Sequence, residues 1–329
     1  MTAIGADVVL REKREMTAST SSALDDAHAV SRRITLLSVV TAVVLIALKA
    51  FALGASGSVS ILATLADSSL DLVASLAAFF AVRWAAVPAD EDHRHGHGKA
   101  EALASLVQAG LIFASSIFIG WEAIQRMFNP QPVTAGGWAV GVVVISIAVT
   151  AGLVWFQTQA LKKTRSLAVA GDRAHYAADL AANVVVLIGV VSGAFLSAPG
   201  LDAAAGLIVA VWLFWGAISL LGSSADHLLD RAVPDTERAT IVKVVLADER
   251  VYGVHQLRTR MVGQSLQVQL HMDLEGSLTL TQAHDIVVEA ENRILAAFPH
   301  ADILIHPDPR DRDDWEGGAA PKPPQGPWS

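Results

Sequence analysis

Six apolar stretches, at about 34–53, 57–86, 100–128, 138–159, 174–196 and 201–221, dominate the 329-residue chain. Each meets the ~20 residues that a helix needs to cross a bilayer core. Backbone N–H and C=O groups find no water in hydrocarbon, so stretches of this kind fold as a bundle of helices whose hydrogen bonds are internal. Hydrophobic residues make up 53% of the sequence, which excludes an ordinary soluble domain. The first stretch begins beyond residue 30 and precedes no small-residue cleavage pattern, so it reads as a span rather than a removable signal.

Basic residues orient this bundle. Arg11, Lys13, Arg14, Arg32 and Arg33 precede the first stretch, Arg83, Arg94 and Lys99 flank the second loop, and Lys162, Lys163, Arg165 and Arg173 flank the fourth. The loops 54–56, 129–137 and 197–200 hold no Lys or Arg. The positive-inside rule therefore places both termini in the cytoplasm of a cell (inner or plasma) membrane protein with six spans. The net charge of −8 says less than this local distribution.

Ionisable residues interrupt two spans at a fixed interval: Asp67 with Asp71, and His175 with Asp179. Four residues is just over one helical turn, so each pair projects from one helix face. The centre of Asp67/Asp71 lies fourteen residues from Arg83, or ~21 Å, and that of His175/Asp179 twelve residues from Arg165, or ~18 Å. The two pairs thus reach a similar depth. An ionisable group in hydrocarbon costs at least a few kcal/mol, and four of them need a shared reason. Three carboxylates and an imidazole make a tetrahedral shell for a divalent transition metal. Asn183, one turn beyond Asp179, is placed to hydrogen-bond that carboxylate or to pack between helices. Lys49, near the outer end of the first span, reads as a snorkelling lysine.

The chain has no Cys, so a metal here depends on His and carboxylates, and disulfides are excluded. Two further groups have that composition. Asp90, His93 and His97 lie in the loop 90–99, where glycines 96 and 98 would let the backbone close around an ion, although a His-rich loop can equally be a solvated connector. After the sixth span, a helix over 235–247 capped by Asp235, strands over 255–261 and 265–274 about a turn at 262–264, a helix over 280–298 and a strand over 302–306 follow one another. That α-β-β-α-β order describes a small α+β domain, ferredoxin- or metallochaperone-like, with its helices on one sheet face. His255, His271, His284, His306 and Asp308 lie near the ends of its elements and point to bound metal. His28, His227 and His300 lack such company and read as structural. The organisation expected is therefore a disordered cytoplasmic leader over 1–30, a membrane domain over 31–226, a cytoplasmic metal-binding domain over 227–308, and a disordered tail over 309–329.

Taken together these motifs resemble the cation diffusion facilitators, most closely their bacterial ferrous-iron/zinc efflux pumps. The likeness runs from about residue 32 to residue 308. It is carried by Gly-Ser-Val-Ser-Ile-Leu-Ala-Thr-Leu-Ala-Asp-Ser-Ser-Leu-Asp at 57–71, Gly-His-Gly-Lys-Ala-Glu at 96–101 and His-Tyr-Ala-Ala-Asp at 175–179. Leu-Leu-Asp-Arg-Ala-Val-Pro-Asp at 228–235 and Leu-Arg-Thr-Arg at 257–260 complete it. The resemblance implies a Y-shaped homodimer whose six-helix domains export divalent metal in exchange for protons. Zn²⁺ would be both cargo and structural ion, and Fe²⁺, Cd²⁺ and Co²⁺ also suit the ligand set. By this likeness Asp67, Asp71, His175 and Asp179 form the transport site, and Asp90, His93 and His97 form a loop site. His255, His271, His284, His306 and Asp308 form a two-metal site at the cytoplasmic dimer interface. Lys99 and Asp230 form a charge interlock that holds the dimer near the membrane surface. His95 stands where relatives often carry an aromatic residue. No enzymatic activity, organic cofactor or nucleic-acid partner is expected.

Chemistry supports exchange independently of that likeness. Deprotonated and empty, three carboxylates and a neutral imidazole carry −3 in a low-dielectric setting, so the empty site takes up protons and an incoming divalent cation expels them. Alternating access around a midplane site then carries metal one way and protons the other. Two readings compete. A membrane metallohydrolase would keep an open coordination position beside a base, whereas four protein ligands and no spare nucleophile are present. A metal sensor would signal through the soluble domain without transport.

Overall fold

A computed structural model describes residues 3–56, 59–128, 137–191 and 201–310. Two compact units form, one from His28–Leu228 and one that takes the chain up to Ala27 together with the chain from Leu229. Among the described residues, six long helices precede the second part of that other unit: α1 (Ala3–Ser56), which enters the first unit at His28, α2 (Val59–Ala85), α3 (Lys99–Phe128), α4 (Gly137–Leu161), α5 (Leu167–Val191) and α6 (Leu201–Leu228).

α1 begins at Ala3, so the leader expected to be disordered is helical. The reason is local. No Gly or Pro occurs between residues 6 and 33, and Ala, Leu, Glu, Lys and Arg recur there. The tail from residue 311 lies outside the described residues.

Five of these helices contain segments long and apolar enough to cross a membrane: Asp25–Ala55, Thr64–Ala85, Lys99–Phe128, Val140–Leu161 and Ala203–Leu228. The exception is α5, which carries Asp172, Arg173, His175, Asp179 and Asn183. It packs against α2, α3, α4 and α6, so protein rather than lipid surrounds its polar groups. The bundle has the polarity expected in hydrocarbon. On α1, Ser31, Thr35, Ser38, Ala42, Leu45, Lys49 and Ala52 recur every three to four residues and are buried, while Leu36, Leu37, Val40, Val43 and Val44 face outward. On α3 the buried set Glu101, Ser105, Gln108 and Ile112 follows the same spacing.

The second unit continues with α7 (Asp235–Val245), β1 (Gly253–Val262), β2 (Ser265–Leu274), α8 (Leu280–Ala297) and β3 (Ala301–Pro309). Asp235 does not cap α7. Pro234 occupies that position, because its fixed φ of −53° suits a helix start, and Asp235 pairs inside the first turn with Arg238 at 2.9 Å. Thr279 and Gln282 close a capping box on α8. The sheet order is β1-β2-β3, antiparallel between β1 and β2 and parallel between β2 and β3. The β1–β2 turn places Gly263 at φ +59°, a left-handed conformation that glycine adopts without steric penalty.

Strand alternation divides the central strand. Leu266, Val268, Leu270, Met272 and Leu274 are buried with Ile241 and Val245 of α7 and with Ile286, Ala290 and Ile294 of α8. Gln267, Gln269, His271 and Asp273 therefore face the other side of the sheet. Behind the sheet, Asp248 joins the segment after α7 to α8. Its carboxylate accepts from Arg250 Nε at 2.9 Å and Nη2 at 2.7 Å and from Arg293 Nη2 at 3.2 Å. Arg250 also bonds Glu289. The Arg250 hydrogen bonds hold the Asp248 carboxyl well below the usual carboxylate range, and Asp248 in turn holds the Arg250 guanidinium above its ordinary value.

Candidate metal centre

In the helical unit, α2 and α5 bring three ionisable side chains together. His175 Nε2 lies 3.1 Å from Asp71 Oδ1 and 3.7 Å from Asp179 Oδ2. All three offer ligand atoms within 4.8 Å of one another. Asp71 and His175 are 5% and 8% exposed. A neutral imidazole has one N–H, which Asp71 can take at Nε2. Asp179 Oδ2 is buried with no hydrogen-bond partner, and Asn183 does not supply one. A buried carboxylate oxygen without a donor is costly, and a cation between the three groups satisfies it.

Asp67, the fourth expected ligand, does not join this group. It precedes Asp71 by one turn on α2 and is exposed. One helical pitch of ~5.4 Å separates the two positions, and like charges repel when no cation lies between them.

One turn toward the cytoplasm, a buried polar cluster sets the position of α5. Asp172, 1% exposed, accepts from Gln157 Nε2 of α4 at 2.8 Å and from Ser75 Oγ of α2 at 3.2 Å. The same Gln157 nitrogen donates to Ser38 Oγ of α1 at 3.1 Å, and Ser75 Oγ is 2.9 Å from the Tyr176 hydroxyl. Four helices thus meet on one carboxylate. Spacing along the chain does not reveal this cluster, because its partners come from four different helices.

Lys49 does not snorkel. Its side chain turns inward, 5% exposed, and Nζ donates to Ser68 Oγ at 2.6 Å and to the Thr64 carbonyl at 3.0 Å, both on α2. The lysine lies on the buried stripe of α1, which decides its direction.

The loop brings Asp90, His93 and His97 together as the second group. Asp90 Oδ1 is 3.3 Å from His93 Nδ1, and Oδ2 is 3.3 Å from His97 Nε2. Backbone N–H groups of His93 and Asp92 donate to Asp90 Oδ1 at 2.6 and 3.0 Å. The His93 amide is the main reason that the Asp90 carboxyl sits below its ordinary range. Gly96, at φ +77°, turns the chain so that His97 returns over Asp90. His97 Nδ1 lies 3.3 Å from the Val87 carbonyl, which can only accept. With the ring proton placed there, Nε2 is left as a lone pair facing a carboxylate, an arrangement that a shared cation or proton relieves.

In the second unit, the sheet register aligns His255, His271 and His306 across β1, β2 and β3. An irregularity between His255 and Arg258, with Gln256 at φ +50°, shifts the pairing and sets His255 opposite His271. Asp308 ties the row together. Its Oδ2 is 2.7 Å from His271 Nδ1 and 3.5 Å from His255 Nε2, and its Oδ1 is 3.2 Å from His306 Nε2. His255, His271 and Asp308 form the third group, and the His306 ring, 63% exposed, stands at its edge. His284 is exposed on α8 and does not join it, because α8 packs on the opposite, core-facing side of the sheet. Asp273, which sequence reasoning missed, lies 3.1 Å from His255 Nε2. The two-residue period from His271 was the available signal.

Lys99 Nζ donates to the Leu228 carbonyl at 3.3 Å, and Asp230 Oδ2 accepts from Arg260 Nη1 at 2.9 Å. His227 Nδ1 bonds back to the Ser223 carbonyl of its own helix at 3.0 Å.

Residues 35–229 match the family described as the cation efflux transmembrane domain, and residues 233–310 match the cation efflux protein, cytoplasmic domain. The cation-efflux pump FieF of Cronobacter sakazakii is 41% identical over 280 residues, covering 84% of this chain and 92% of that protein. Its counterpart from Klebsiella pneumoniae is 40% identical over 273 residues, covering 80% and 88%. Among solved structures, the metal-bound C-terminal domain of the CzcD transporter from Thermotoga maritima is 21% identical, covering 24% of this chain and 93% of that one, with a TM-score of 0.23. A nickel form of the MamM C-terminal domain is 22% identical, covering 24% and 100%, also at 0.23.

Proposed function

The chain belongs to the cation efflux family, and from that premise we propose that it exports divalent transition-metal ions, Zn²⁺ foremost, in exchange for protons. It is a divalent cation efflux pump rather than an enzyme, a multi-pass membrane protein with a cytoplasmic C-terminal domain. The observation that carries the finer reading is the buried group of Asp71, His175 and Asp179, where one Asp179 oxygen has no hydrogen-bond partner.

Imidazole with carboxylates suits Zn²⁺, and Fe²⁺, Cd²⁺ and Co²⁺ are compatible. In the loaded state Asp71, His175 and Asp179 hold the ion, and Asp67 completes four ligands by a side-chain rotation on the same face of α2. On the side of higher proton activity, protons bind these groups and the metal leaves. The protonated site then returns, and a new cation expels the protons to the cytoplasm. The protein acts as a homodimer. His255, His271 and Asp308, with His306 and Asp273 beside them, hold Zn²⁺ that stabilises the cytoplasmic domain, and Asp90, His93 and His97 offer a further cation site near the cytoplasmic surface.

Purified protein in vesicles tests this. An imposed pH gradient should drive Zn²⁺ accumulation, and Asp71→Ala or Asp179→Ala should abolish it while insertion persists. Near-normal uptake by either variant refutes the site assignment. A sensor or a hydrolase would accumulate no metal at all.

A further inference from the structure

Lys49 is a buried basic group for which export as outlined has no use. Its surroundings are specific. Nζ is held 2.6 Å from Ser68 Oγ and 3.0 Å from the Thr64 carbonyl. Ser68 lies between Asp67 and Asp71 on α2, three residues before Asp71, and side chains three apart on a helix are neighbours at ~5–6 Å. Asp67 adjoins Ser68 in sequence and Asp71 lies one turn beyond it, so the α2 carboxylates stand beside the anchor of the ammonium. A lysine that served only to reach headgroups would run along lipid, whereas this one lies on the inward stripe of α1 with Ser38, Ala42 and Leu45.

We propose that the Lys49 ammonium is a built-in counter-charge of the transport site that weakens its hold on the divalent ion and so speeds release. The inference rests on the metal reading of Asp71, His175 and Asp179. Three carboxylates and one ammonium leave two negative charges when the imidazole is neutral, which a divalent cation cancels. The loaded site is then neutral, and a neutral group costs least to rearrange in a low-dielectric interior. Without the ammonium the loaded site keeps one negative charge. It binds the cation more tightly, because a like charge near the ion is gone, and it moves less readily.

Proteoliposome Zn²⁺ transport by Lys49→Met and Lys49→Arg tests the proposal, with Asp179→Ala assayed alongside. Lys49→Met keeps the length and removes the charge, and its KM should fall about tenfold with a lower maximal rate. Lys49→Arg keeps the charge and should return KM to within about threefold of the parent protein. A purely structural lysine would give the opposite pattern for Met, a raised or unchanged KM, and that result overturns the proposal. If Lys49→Met does not fold, Ser68→Ala frees the ammonium from its 2.6 Å anchor, and a KM identical to the parent's in that variant overturns the proposal as well. Normal transport by Asp179→Ala would instead refute the metal site on which the inference stands. Abolished transport there, with parental KM in Lys49→Met, would refute the inference alone.

Discussion

His175 Nε2 lies 3.1 Å from Asp71 Oδ1, although 104 residues of chain separate the two. A second contact fixes the same antiparallel crossing one turn toward the cytoplasm, where Ser75 Oγ meets Asp172 Oδ1 at 3.2 Å, 97 residues apart. Two contacts on successive turns set both the rotation and the register of α2 against α5. The Asp172 cluster thus helps to hold Asp71 against His175.

Asp172→Ala should loosen that crossing. Gln157 Nε2 keeps Ser38 Oγ and Ser75 Oγ keeps the Tyr176 hydroxyl, but one Gln157 N–H loses its acceptor, and a buried donor left unsatisfied costs about 1–3 kcal/mol. The membrane domain should melt at a lower temperature in detergent, and Asp172→Asn, which keeps one carbonyl oxygen, should lose less. An unchanged melting temperature in Asp172→Ala would show that the cluster does not hold the helices.

His175→Asp tests selectivity. Imidazole favours Zn²⁺ and its neighbours, whereas an all-carboxylate shell suits harder ions such as Mn²⁺. The substitution keeps the i,i+4 relation to Asp179 and removes the nitrogen ligand. Transport of both metals by reconstituted protein should shift from Zn²⁺ toward Mn²⁺, and an unaltered preference would mean that His175 does not hold the cargo.

His271→Ala removes the centre of the histidine row and leaves Asp308 without its 2.7 Å partner. Metal drawn from three strands ties them together, so its binding free energy adds to folding. Zinc content per protomer and melting temperature should both fall, with a smaller change in maximal transport rate. Complete loss of transport with an unchanged melting profile would contradict a structural role.

Asp248 predicts a pH dependence. Arg250 depresses its folded-state value, so the unfolded chain binds a proton first, near the reference of ~3.9. The stabilisation is fully present above that value and is lost as pH falls through the lower folded value. Asp248→Asn should therefore be less stable at pH 7 and show a flatter decline in melting temperature between about pH 5 and 3. Parallel curves for the two proteins would remove the ion pair from the account.

Several features of this molecule are legible in its sequence. The spans follow from runs of apolar residues, the two pairs from a four-residue interval, and the face of β2 that carries His271 from a two-residue alternation. Each is a local periodicity, dictated by the geometry of one helix or one strand. Capping was legible only in part: Pro234 and Asp235 sit one position apart, and backbone φ chose between them.

Tertiary structure alone decided which polar groups meet. That three of four expected ligands gather while Asp67 stands a turn away depends on the axial register of α2 against α5. The rotation of α1 about its own axis turned Lys49 from an expected snorkelling group into a buried donor to Ser68. In the sheet, parallel pairing of β2 with β3 placed His306 beside His271, and α8 carried His284 to the other face. Spacing along one element determines the direction of a side chain only relative to its own neighbours. The partner it meets is set by packing among elements distant in sequence, which no period within a single segment encodes.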